Sequence, residues 1–555
     1  MAVVPRSKAR TAHVNMMTDT IIANLPADAL RSVVRAILTT EPSVTAIFEK
    51  QTQHYLQKTA REPTGELFLS TANGVKSTPN FTLAQQRIRA TIGCGLVFES
   101  LPLLKEVVDK SADLQTPLDA SPLSGLDHSL ASVDGDIVQA LTGVQKCLLS
   151  DDGSRKLAAE EEAGMNALFK SLLQCRQKWL TAKQEFPFER STSVIATMLC
   201  DAAAVQTLLH QDERRSNHTV QKMVSTSLET FRIKDTNLPR LFSGLWQLSS
   251  PSWGVASRSQ MFKQFIEYIS RGFTAFDMAD HYGDAEVTFG RLRSSLSRPG
   301  DVFGATKYCV FHKITVTPEV IRANITERCR RMDAERVDLL QFHWQDYDDR
   351  QYIQALQLLQ QDERIRYLGL CNFDSNRLQE VIDSGVDVVT NQVQFSLIDA
   401  RPRFTMGDVC KQHNIKLLTY GTLCGGFLAD KWLGRPKPQL FGSESTPSQR
   451  KYFEMIQTWG NWDLFQSLLQ VLKTISDKHK VSISNVASRW VLDFPYVGAV
   501  IVGARMGVSE HTEENLNTYG WNLDEADQNS IEEILQQSRR EEMFNDMGDC
   551  GSEYR

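Results

Sequence analysis

The 555-residue sequence has no stretch of eighteen uninterrupted apolar residues, and its N-terminus lacks the apolar core of a secretory signal. The first absence argues against a membrane-spanning helix, and the second argues against a secretory leader. Neither sign of charge is in large excess, since 61 basic and 67 acidic residues leave a formal net charge of -6. A balance this mild gives no basis for binding nucleic acid or an anionic membrane.

Paired cysteine motifs and phosphate-binding motifs are missing as well. The ten cysteines form no Cys-x-x-Cys pair and have no histidine cluster beside them, so we predict no metal site. Free thiols in a reducing compartment are the expected state, which favours a cytoplasmic location. No Gly-x-Gly-x-x-Gly joins a strand to a helix and no P-loop is present, which argues against a Rossmann or P-loop nucleotide site.

The first residues, MAVVPRSKARTAHVNMM, are basic and contain no acid before Asp19. A mitochondrial transit peptide can have this composition, but the stretch is short and has no clear amphipathic face. We therefore expect a flexible leader over residues 1–19.

Residues 20–225 have a helical rhythm. Apolar side chains recur at the spacing of one helix face, for example at Leu30, Val33, Val34, Ile37 and Leu38. Turn-rich connectors, such as residues 114–129, separate the helical segments. The pattern predicts an all-α domain, and no motif within it indicates a function.

From about residue 230 the rhythm changes to short apolar runs that alternate with amphipathic helical segments. There are eight such runs: RLFSGLWQL, TAFDMA, VFGATKYC, VDLLQFHW, IRYLGLCN, VVTNQVQF, KLLTYGTL and VGAVIVGA. Apolar runs alternating with helices indicate a parallel sheet that is buried on both faces. Eight units in about 300 residues predict a (β/α)8 barrel, an α/β fold, over residues 230–540. Residues 541–555 are expected to be a flexible tail.

Ionisable residues lie where three consecutive predicted strands end. Asp277 lies near the end of the second run and Tyr282 just after it, Lys307 lies near the end of the third, and His343 near the end of the fourth. Taken singly, each has an ordinary structural reading: a helix cap, a turn residue, a solvated lysine or a satisfied core histidine. In a parallel barrel, however, these strand ends share the rim on which active sites are built.

Together the four side chains suit the reduction of a carbonyl by hydride, which needs a proton donor at the carbonyl oxygen. Tyr282 can be that acid, and a nearby Lys307 ammonium is expected to lower the tyrosine pKa from its free value of about 10. Asp277 would orient the lysine and keep it charged. A neutral His343 would donate a hydrogen bond that positions the substrate oxygen.

At these residues the sequence resembles the aldo-keto reductase family. FDMADHYGDAE (276–286) matches that family's Asp-x-Ala-x-x-Tyr-Gly-x-x-Glu motif, and Lys307 and His343 stand at its lysine and histidine positions. Further matches follow in order within residues 236–540: GLWQL (244–248), GLCNF (369–373), NQVQF (391–395) and VGARMGVSEHTEENL (502–516). The resemblance implies a reductase barrel, and it leaves the N-terminal half uncovered.

The resemblance also implies NADP(H) as the cofactor, held without a Rossmann unit. Asn372 and Gln392 would hold the nicotinamide carboxamide, and Tyr420 would stack on the nicotinamide ring. At the other end of the cofactor, the family pattern assigns Arg505 to the 2′-phosphate, and Glu514 and Asn515 to the adenosine end. A guanidinium suits a phosphate because its planar fork donates two parallel hydrogen bonds.

Departures from the family pattern leave the choice between NADP and NAD open. Cys371 replaces a serine before Asn372, Met506 replaces a phosphate-side hydroxyl, and His511 stands where arginine is common. The sequence gives even less information about the substrate than about the cofactor. Trp246 and Trp344 either line an apolar pocket at the rim or are packing residues.

The sequence therefore predicts an NADP-dependent oxidoreductase that reduces aldehydes or ketones, or oxidises the corresponding alcohols. The alternative is a reductase-like barrel that senses the nicotinamide redox state and regulates a protein partner through the helical half. Retention of all four residues of the catalytic set favours the enzyme, whereas the large N-terminal extension favours the regulator. No nucleic-acid or membrane partner is expected.

Overall fold

The computed structural model describes residues 22, 24–59, 65–71, 74–114, 125–150, 153–209, 228–249, 256–438 and 446–555. The predicted leader (1–19) and the last part of the predicted helical domain (210–225) lie outside the described residues. Among the described helices, none is both long and apolar enough to cross a bilayer.

The N-terminal half is helical, as its periodicity predicts. Its helices are α1 (Ala27–Thr40), α2 (Thr45–Thr59), α3 (Pro79–Gly93), α4 (Val97–Ser111), α5 (Gly125–Leu148), α6 (Ala159–Thr181), α7 (Glu189–Leu199) and α8 (Ala202–Leu209). Two short antiparallel hairpins depart from the all-α expectation: β1 (Phe68–Thr71) with β2 (Gly74–Ser77), and β3 (Leu149–Ser150) with β4 (Gly153–Ser154). Apolar side chains of α3 to α7 form one buried core, which supports this half as a folded unit.

Eight parallel strands form a closed barrel, which confirms the predicted fold. They are β7 (Leu241–Gly244), β8 (Ala275–Asp277), β9 (Phe303–Val310), β10 (Val337–Trp344), β11 (Ile365–Cys371), β12 (Thr390–Gln394), β13 (Lys416–Tyr420) and β14 (Val497–Gly503). Each strand pairs with the next in chain order, and β14 pairs with β7 to close the circle. Each barrel strand coincides with one of the eight apolar runs of the sequence, and β9 extends one residue beyond its run, to Val310.

Helices surround the barrel and separate its strands. They are α9 (Arg258–Ser270), α10 (Ala285–Ser294), α11 (Pro318–Arg331), α12 (Gln351–Gln360), α13 (Ser375–Asp383), α14 (Met406–His413), α15 (Pro447–Trp459), α16 (Trp462–His479), α17 (Ile483–Leu492), α18 (Thr512–Leu516), α19 (Glu525–Leu535) and α20 (Arg540–Met547). Several begin at side chains that cap the free backbone N–H groups of the first turn, such as Ser257, Thr317 and Asp374. These caps set where each connection ends and its helix starts.

A hairpin closes the barrel at the amino-terminal ends of its strands. Strands β5 (Thr230–Ile233) and β6 (Thr236–Pro239) pair antiparallel, and Phe231, Ile233 and Leu238 pack with apolar side chains of the barrel strands. Apolar side chains fill this end of the barrel, so we expect an active site at the opposite rim, where the strands end.

The two halves of the chain share an interface. Val287, on α10 of the barrel, belongs to the hydrophobic core of the N-terminal half. Gln145, on α5, hydrogen-bonds to Glu327 and Arg331 on α11. The helical half is thus packed against barrel elements that follow β8 and β9.

The C-terminal residues differ from the flexible tail expected over 541–555. Helix α20 extends to Met547, and a 3-10 turn follows at Ser552–Tyr554. Glu553 pairs with the buried Arg401 at 2.9 Å. Gly551, with φ +78°, lies so close to the barrel that an added Cβ would be 2.1 Å from the Asn372 carbonyl oxygen. Tertiary contacts therefore order this segment, although its local sequence carries no strong pattern.

Candidate active site

The predicted catalytic residues meet inside the carboxyl-terminal rim of the barrel. Asp277 is the last residue of β8, and Lys307 and His343 lie on the next two strands. The register places Asp277 beside Ala305 on β9 and places Lys307 beside Gln341 on β10. Residues two apart on a strand share a face, so Ala305 and Lys307 point to the same side, as do Gln341 and His343.

Asp277 and Lys307 form a buried ion pair. The Lys307 Nζ lies 2.6 Å from Asp277 Oδ2, and each side chain is less than 5 % exposed. The other carboxylate oxygen of Asp277 accepts hydrogen bonds from the side-chain amides of Gln341 at 2.9 Å and Gln392 at 2.7 Å. Buried charges are stable only when they are paired and hydrogen-bonded, and this pair has both kinds of partner. The Asp277 charge raises the pKa of Lys307 well above its usual value, against the opposing effect of burial.

Tyr282 lies against the same lysine. Its hydroxyl is 3.2 Å from Lys307 Nζ, and the ammonium also lies 4.6 Å from the centre of the phenol ring. Burial raises the pKa of Tyr282 above its usual value, and this effect exceeds the lowering caused by Lys307. The expected net decrease of the tyrosine pKa is therefore wrong, because the sequence spacing cannot report how deeply a phenol is buried. The hydroxyl stays protonated at neutral pH, as a proton donor must.

His343 is neutral and has one ring nitrogen without a partner. The side chain is only 3 % exposed, and burial, aided by the Arg555 charge, lowers its pKa to about 4. Its Nδ1 lies 3.3 Å from Asn372 Nδ2, while Tyr420 donates to Asn372 Oδ1 at 2.9 Å. An amide nitrogen only donates, so Nδ1 accepts and the proton resides on Nε2. Among the described residues, buried Nε2 finds no hydrogen-bond partner.

The residues assigned by resemblance to the nicotinamide end lie at this rim and bond to one another. Asn372 has a left-handed backbone with φ 60°, which asparagine tolerates better than most residues. Its side-chain amide bridges Tyr420 and His343. The Gln392 amide is directed inward, where it donates to Asp277 and Gln341.

The residues assigned to the phosphate and adenosine end follow β14 at the same rim. Arg505 is exposed two residues after the strand, and Glu514 and Asn515 lie on α18. The Glu514 carboxylate accepts from the Ser482 hydroxyl at 3.1 Å, and its carbonyl accepts from the Asn485 side chain at 2.7 Å. Helix α18 is therefore tied to the start of α17.

The two tryptophans predicted at the rim lie in different environments. Trp246 follows β7 and is 39 % exposed. Trp344 is 2 % exposed and packs against Phe342 and against Tyr352 of α12, with its indole N–H donated to the Asp346 carbonyl. Successive residues of a strand face opposite sides of a sheet, so Trp344 points away from the side that His343 faces. Trp344 is thus a packing residue and does not line the expected pocket.

Aromatic and basic residues that we did not predict surround His343. Phe311, just past β9, is 46 % exposed, with its ring centre 5.4 Å from that of His343. Tyr554 meets His343 edge-on at 5.5 Å, and its hydroxyl lies 3.1 Å from that of Tyr420. Arg555 donates to the Asn372 carbonyl and stacks on Tyr347. A sequence signal existed only for Phe311, which follows directly after a predicted strand.

One group of potential metal ligands occurs in the described part of the chain. Single donor atoms of Asp280, His281 and Cys309 lie within 4.8 Å of one another. Asp280 already pairs with Lys146 at 2.9 Å and Arg328 at 3.4 Å. These two cations would repel a metal ion, and burial raises the pKa of the Cys309 thiol well above its usual value.

Comparison with known proteins identifies the family. Residues 240–536 match the model of the Aldo/keto reductase family, a match that covers just over half of the chain. The match supports an oxidoreductase that acts on carbonyl groups. It includes all four predicted catalytic residues and excludes the helical half.

Individual relatives match different shares of the chain. Aldo-keto reductase YhdN of Bacillus subtilis is 24 % identical over 56 % of this chain and 94 % of its own length. NADH-specific methylglyoxal reductase of Escherichia coli is 22 % identical over 55 % of this chain and 97 % of its own length. Flagellar radial spoke protein 5 of Chlamydomonas reinhardtii is 32 % identical over 29 % of this chain, but the match spans only 35 % of that protein. A glycerol dehydrogenase structure from Gluconobacter oxydans, AKR11B4, aligns with 57 % of this chain and 97 % of its own, at 23 % identity and a TM-score of 0.49.

Proposed function

Since the chain belongs to the aldo/keto reductase family, we propose that it reduces an aldehyde or ketone with NADP(H), or oxidises the corresponding alcohol. The observation that carries this proposal is the buried set of Asp277, Lys307 and Tyr282, joined by contacts of 2.6 and 3.2 Å, beside a neutral His343. A reduced nicotinamide, when bound, supplies the hydride. The side chains of the protein supply the proton and stabilise the charge that develops.

Each member of the set has a separate task in this mechanism. Tyr282 gives its hydroxyl proton to the carbonyl oxygen as negative charge grows there. Lys307, 3.2 Å away, stabilises the phenolate that remains, and its charge acts strongly because the site is shielded from water. Asp277 keeps Lys307 charged and in place. His343 donates from Nε2 to the substrate oxygen and holds it near Tyr282.

The residues assigned to the cofactor have the chemistry that it requires. Asn372 and Gln392 carry amides that can pair with a carboxamide, and Tyr420 offers an aromatic face. The exposed guanidinium of Arg505 can pair with a phosphate. We assign Glu514 and Asn515 to the adenosine end and the exposed Trp246 to the substrate pocket. Because one relative is named NADH-specific, both cofactors belong in the test.

The decisive experiment measures cofactor binding and turnover separately in the full chain. NADPH and NADH are titrated by fluorescence, and oxidation of the tighter-binding cofactor is then followed with a panel of aldehydes and ketones. We expect turnover with at least one carbonyl, and a loss of about 100-fold or more in Tyr282→Phe, because a general acid contributes about 10² to 10⁴. Cofactor affinity should change little, since only the hydroxyl is removed.

Tyr496→Phe is the matched control, because Tyr496 packs against Phe494 away from the ion pair. It should retain both binding and turnover. Unchanged turnover in Tyr282→Phe would contradict the assignment of the acid. Absence of turnover in the wild-type chain with every carbonyl and both cofactors would contradict the enzyme itself.

A second candidate is a nicotinamide-binding barrel that acts within a protein assembly through its helical half. The name of the radial spoke relative favours this candidate, since it describes a component of a larger structure. Tight cofactor binding without turnover would favour it over the enzyme. For either function we propose a cytoplasmic location, supported by ten cysteines that are all free.

A further inference from the structure

The segment that carries Tyr282 is held from the N-terminal half of the chain. We define the Tyr282 loop as residues 278–284, which connect β8 to α10. Asp280, within this loop, is 2 % exposed. Lys146, at the end of α5, places its Nζ 2.9 Å from Asp280 Oδ2. A residue 134 positions earlier in the sequence therefore pairs with the loop that presents the proton donor.

Asp280 also contacts residues that lie beside Lys307 and Tyr282. Its Oδ2 also accepts from the backbone N–H of Cys309 at 3.2 Å, on the strand that carries Lys307. Its Oδ1 lies 3.1 Å from Nδ1 of His281. The His281 ring in turn packs edge-on against the Tyr282 ring, with 4.8 Å between their centres. The orientation of Tyr282 is thus coupled, through His281, to the Asp280 side chain, which pairs with Lys146.

A second ion pair fixes the far end of the loop. Arg190, on α7, contacts both carboxylate oxygens of Asp284 at 2.5 and 2.8 Å. Asp284 is 1 % exposed and immediately precedes α10, where Thr288 also donates to it at 2.8 Å. Bidentate arginine–carboxylate pairs restrict orientation as well as distance. Two different helices of the N-terminal half therefore hold the loop, α5 at Asp280 and α7 at Asp284.

Both carboxylates depend on these cations for their charge. Burial alone would raise the pKa of each, but the pKa of Asp280 is held well below its usual value by Lys146, His281 and Arg328. The pKa of Asp284 is likewise lowered, chiefly by Arg190. Removing Lys146 leaves the buried Asp280 carboxylate with the more distant Arg328, at 3.4 Å, so the carboxylate would move toward that arginine. Removing Arg190 leaves the buried Asp284 charge to move toward water or take up a proton. In either case the loop around Tyr282 would shift.

We propose that the N-terminal half is part of the reductase machinery, with Lys146 and Arg190 as positioning residues that hold the Tyr282 loop in its reactive arrangement. This proposal rests on the proposed function for its effect on turnover. Neither residue contacts Asp277, Lys307 or Tyr282 in the described structure, so both act through Asp280 and Asp284. Positioning of this kind affects the rate, because a small displacement of a proton donor from the substrate oxygen strongly lowers the rate of proton transfer.

The test compares Lys146→Met, Lys146→Arg and Lys105→Met in the full chain. Lys146→Met keeps the length of the side chain and removes the charge, and Lys146→Arg restores the charge. Lys105→Met is the matched control, since it breaks an exposed pair with Asp109 inside the N-terminal half at 2.6 Å. We expect kcat to fall about tenfold in Lys146→Met, with the cofactor KM within about twofold, because the donor is displaced and the cofactor residues are not.

Lys146→Arg should recover most of kcat, and Lys105→Met should match the wild type. A kcat of Lys146→Met within twofold of the wild type would overturn the proposal, and so would an equal loss in Lys105→Met. Arg190→Lys, which keeps the charge but loses the bidentate geometry, provides an independent second variant with the same expected direction.

Hydrogen–deuterium exchange separates this proposal from the proposed function. Peptides that cover residues 278–289 should exchange faster in Lys146→Met than in the wild type or in Lys105→Met. If the wild-type chain shows no turnover, the reductase proposal fails and exchange alone decides whether Lys146 holds the loop. Unchanged exchange over residues 278–289 would then overturn the positioning role as well.

Discussion

Lys307 Nζ lies 2.6 Å from Asp277 Oδ2, with both side chains almost completely excluded from water. The same ammonium lies 3.2 Å from the hydroxyl of Tyr282 and donates to the Met278 carbonyl at 2.9 Å. One buried cation therefore links the carboxylate that closes β8 to the phenol five residues later. The stability of this part of the barrel and the proposed proton donation by Tyr282 both depend on Lys307, and substitutions can separate the two effects.

Lys307→Met should destabilise the protein and inactivate it. The substitution leaves Asp277 buried without its cation, which typically costs about 3 to 5 kcal/mol in the free energy of unfolding. The reduction rate should fall by about 100-fold or more, because the phenolate loses its stabilising charge. Urea unfolding and cofactor oxidation measure the two effects.

The double variant Asp277→Asn with Lys307→Met is the control. Removing both charges should recover at least about 1 kcal/mol of stability relative to Lys307→Met, since no unpaired ion remains. Activity should stay lost. Equal stabilities of the single and double variants would mean that the ion pair is not what supports this part of the barrel.

His343 should make the protein less stable in acid. Its pKa is about 4 in the folded protein, compared with an ordinary value of 6.5. A lowered pKa means that the unfolded chain binds the proton more tightly, so the contribution is complete above pH 6.5 and is lost as the pH falls towards 4. The loss of unfolding free energy between pH 7.5 and 4.5 should be on the order of 2 kcal/mol larger in the wild type than in His343→Gln.

Urea unfolding at both pH values measures this difference. His128→Gln is the matched control, because the His128 side chain is exposed on α5. It should keep the pH dependence of the wild type. Identical pH dependence in the wild type and His343→Gln would rule out the buried neutral imidazole.

Arg555→Met should raise the pKa of His343. After burial, the Arg555 charge is the largest cause of the lowered pKa of His343, so its removal lets the imidazole protonate at higher pH. An NMR titration of the imidazole, assigned with His343→Gln, follows the shift. Arg539→Met, which removes a cation that donates to the Gln457 carbonyl, should leave the titration unchanged. A titration of Arg555→Met that matches the wild type would contradict electrostatic contact between the tail and His343.

The sequence was sufficient for the barrel and for the residues inside its rim. Alternating apolar runs and helical segments report strand order directly, because consecutive units of a (β/α)8 barrel are neighbours in space. Asp277, Lys307 and His343 each end or nearly end such a run, so their convergence follows from the topology. The sequence could also have decided between the two alternatives for Trp344, since this residue is adjacent to His343 on one strand and must face the other way.

Other features depend on contacts that no local pattern reveals. Burial sets the direction of the Tyr282 pKa, and burial is a property of the packed barrel. The tail around Tyr554 is ordered by residues more than 100 positions away, including Tyr420 and Arg401. A short polar segment looks the same in sequence whether it docks or remains free.

The sequence by itself therefore determined the barrel, its family and the set of side chains to which we assign carbonyl reduction. Tertiary structure alone decided how that set is held: Lys146 and Arg190 reach the Tyr282 loop from the other half of the chain. The physical reason is the range of the interactions. Periodicity and strand ends are encoded by neighbours in sequence, whereas an ion pair between residues 134 positions apart exists only once the halves have packed together.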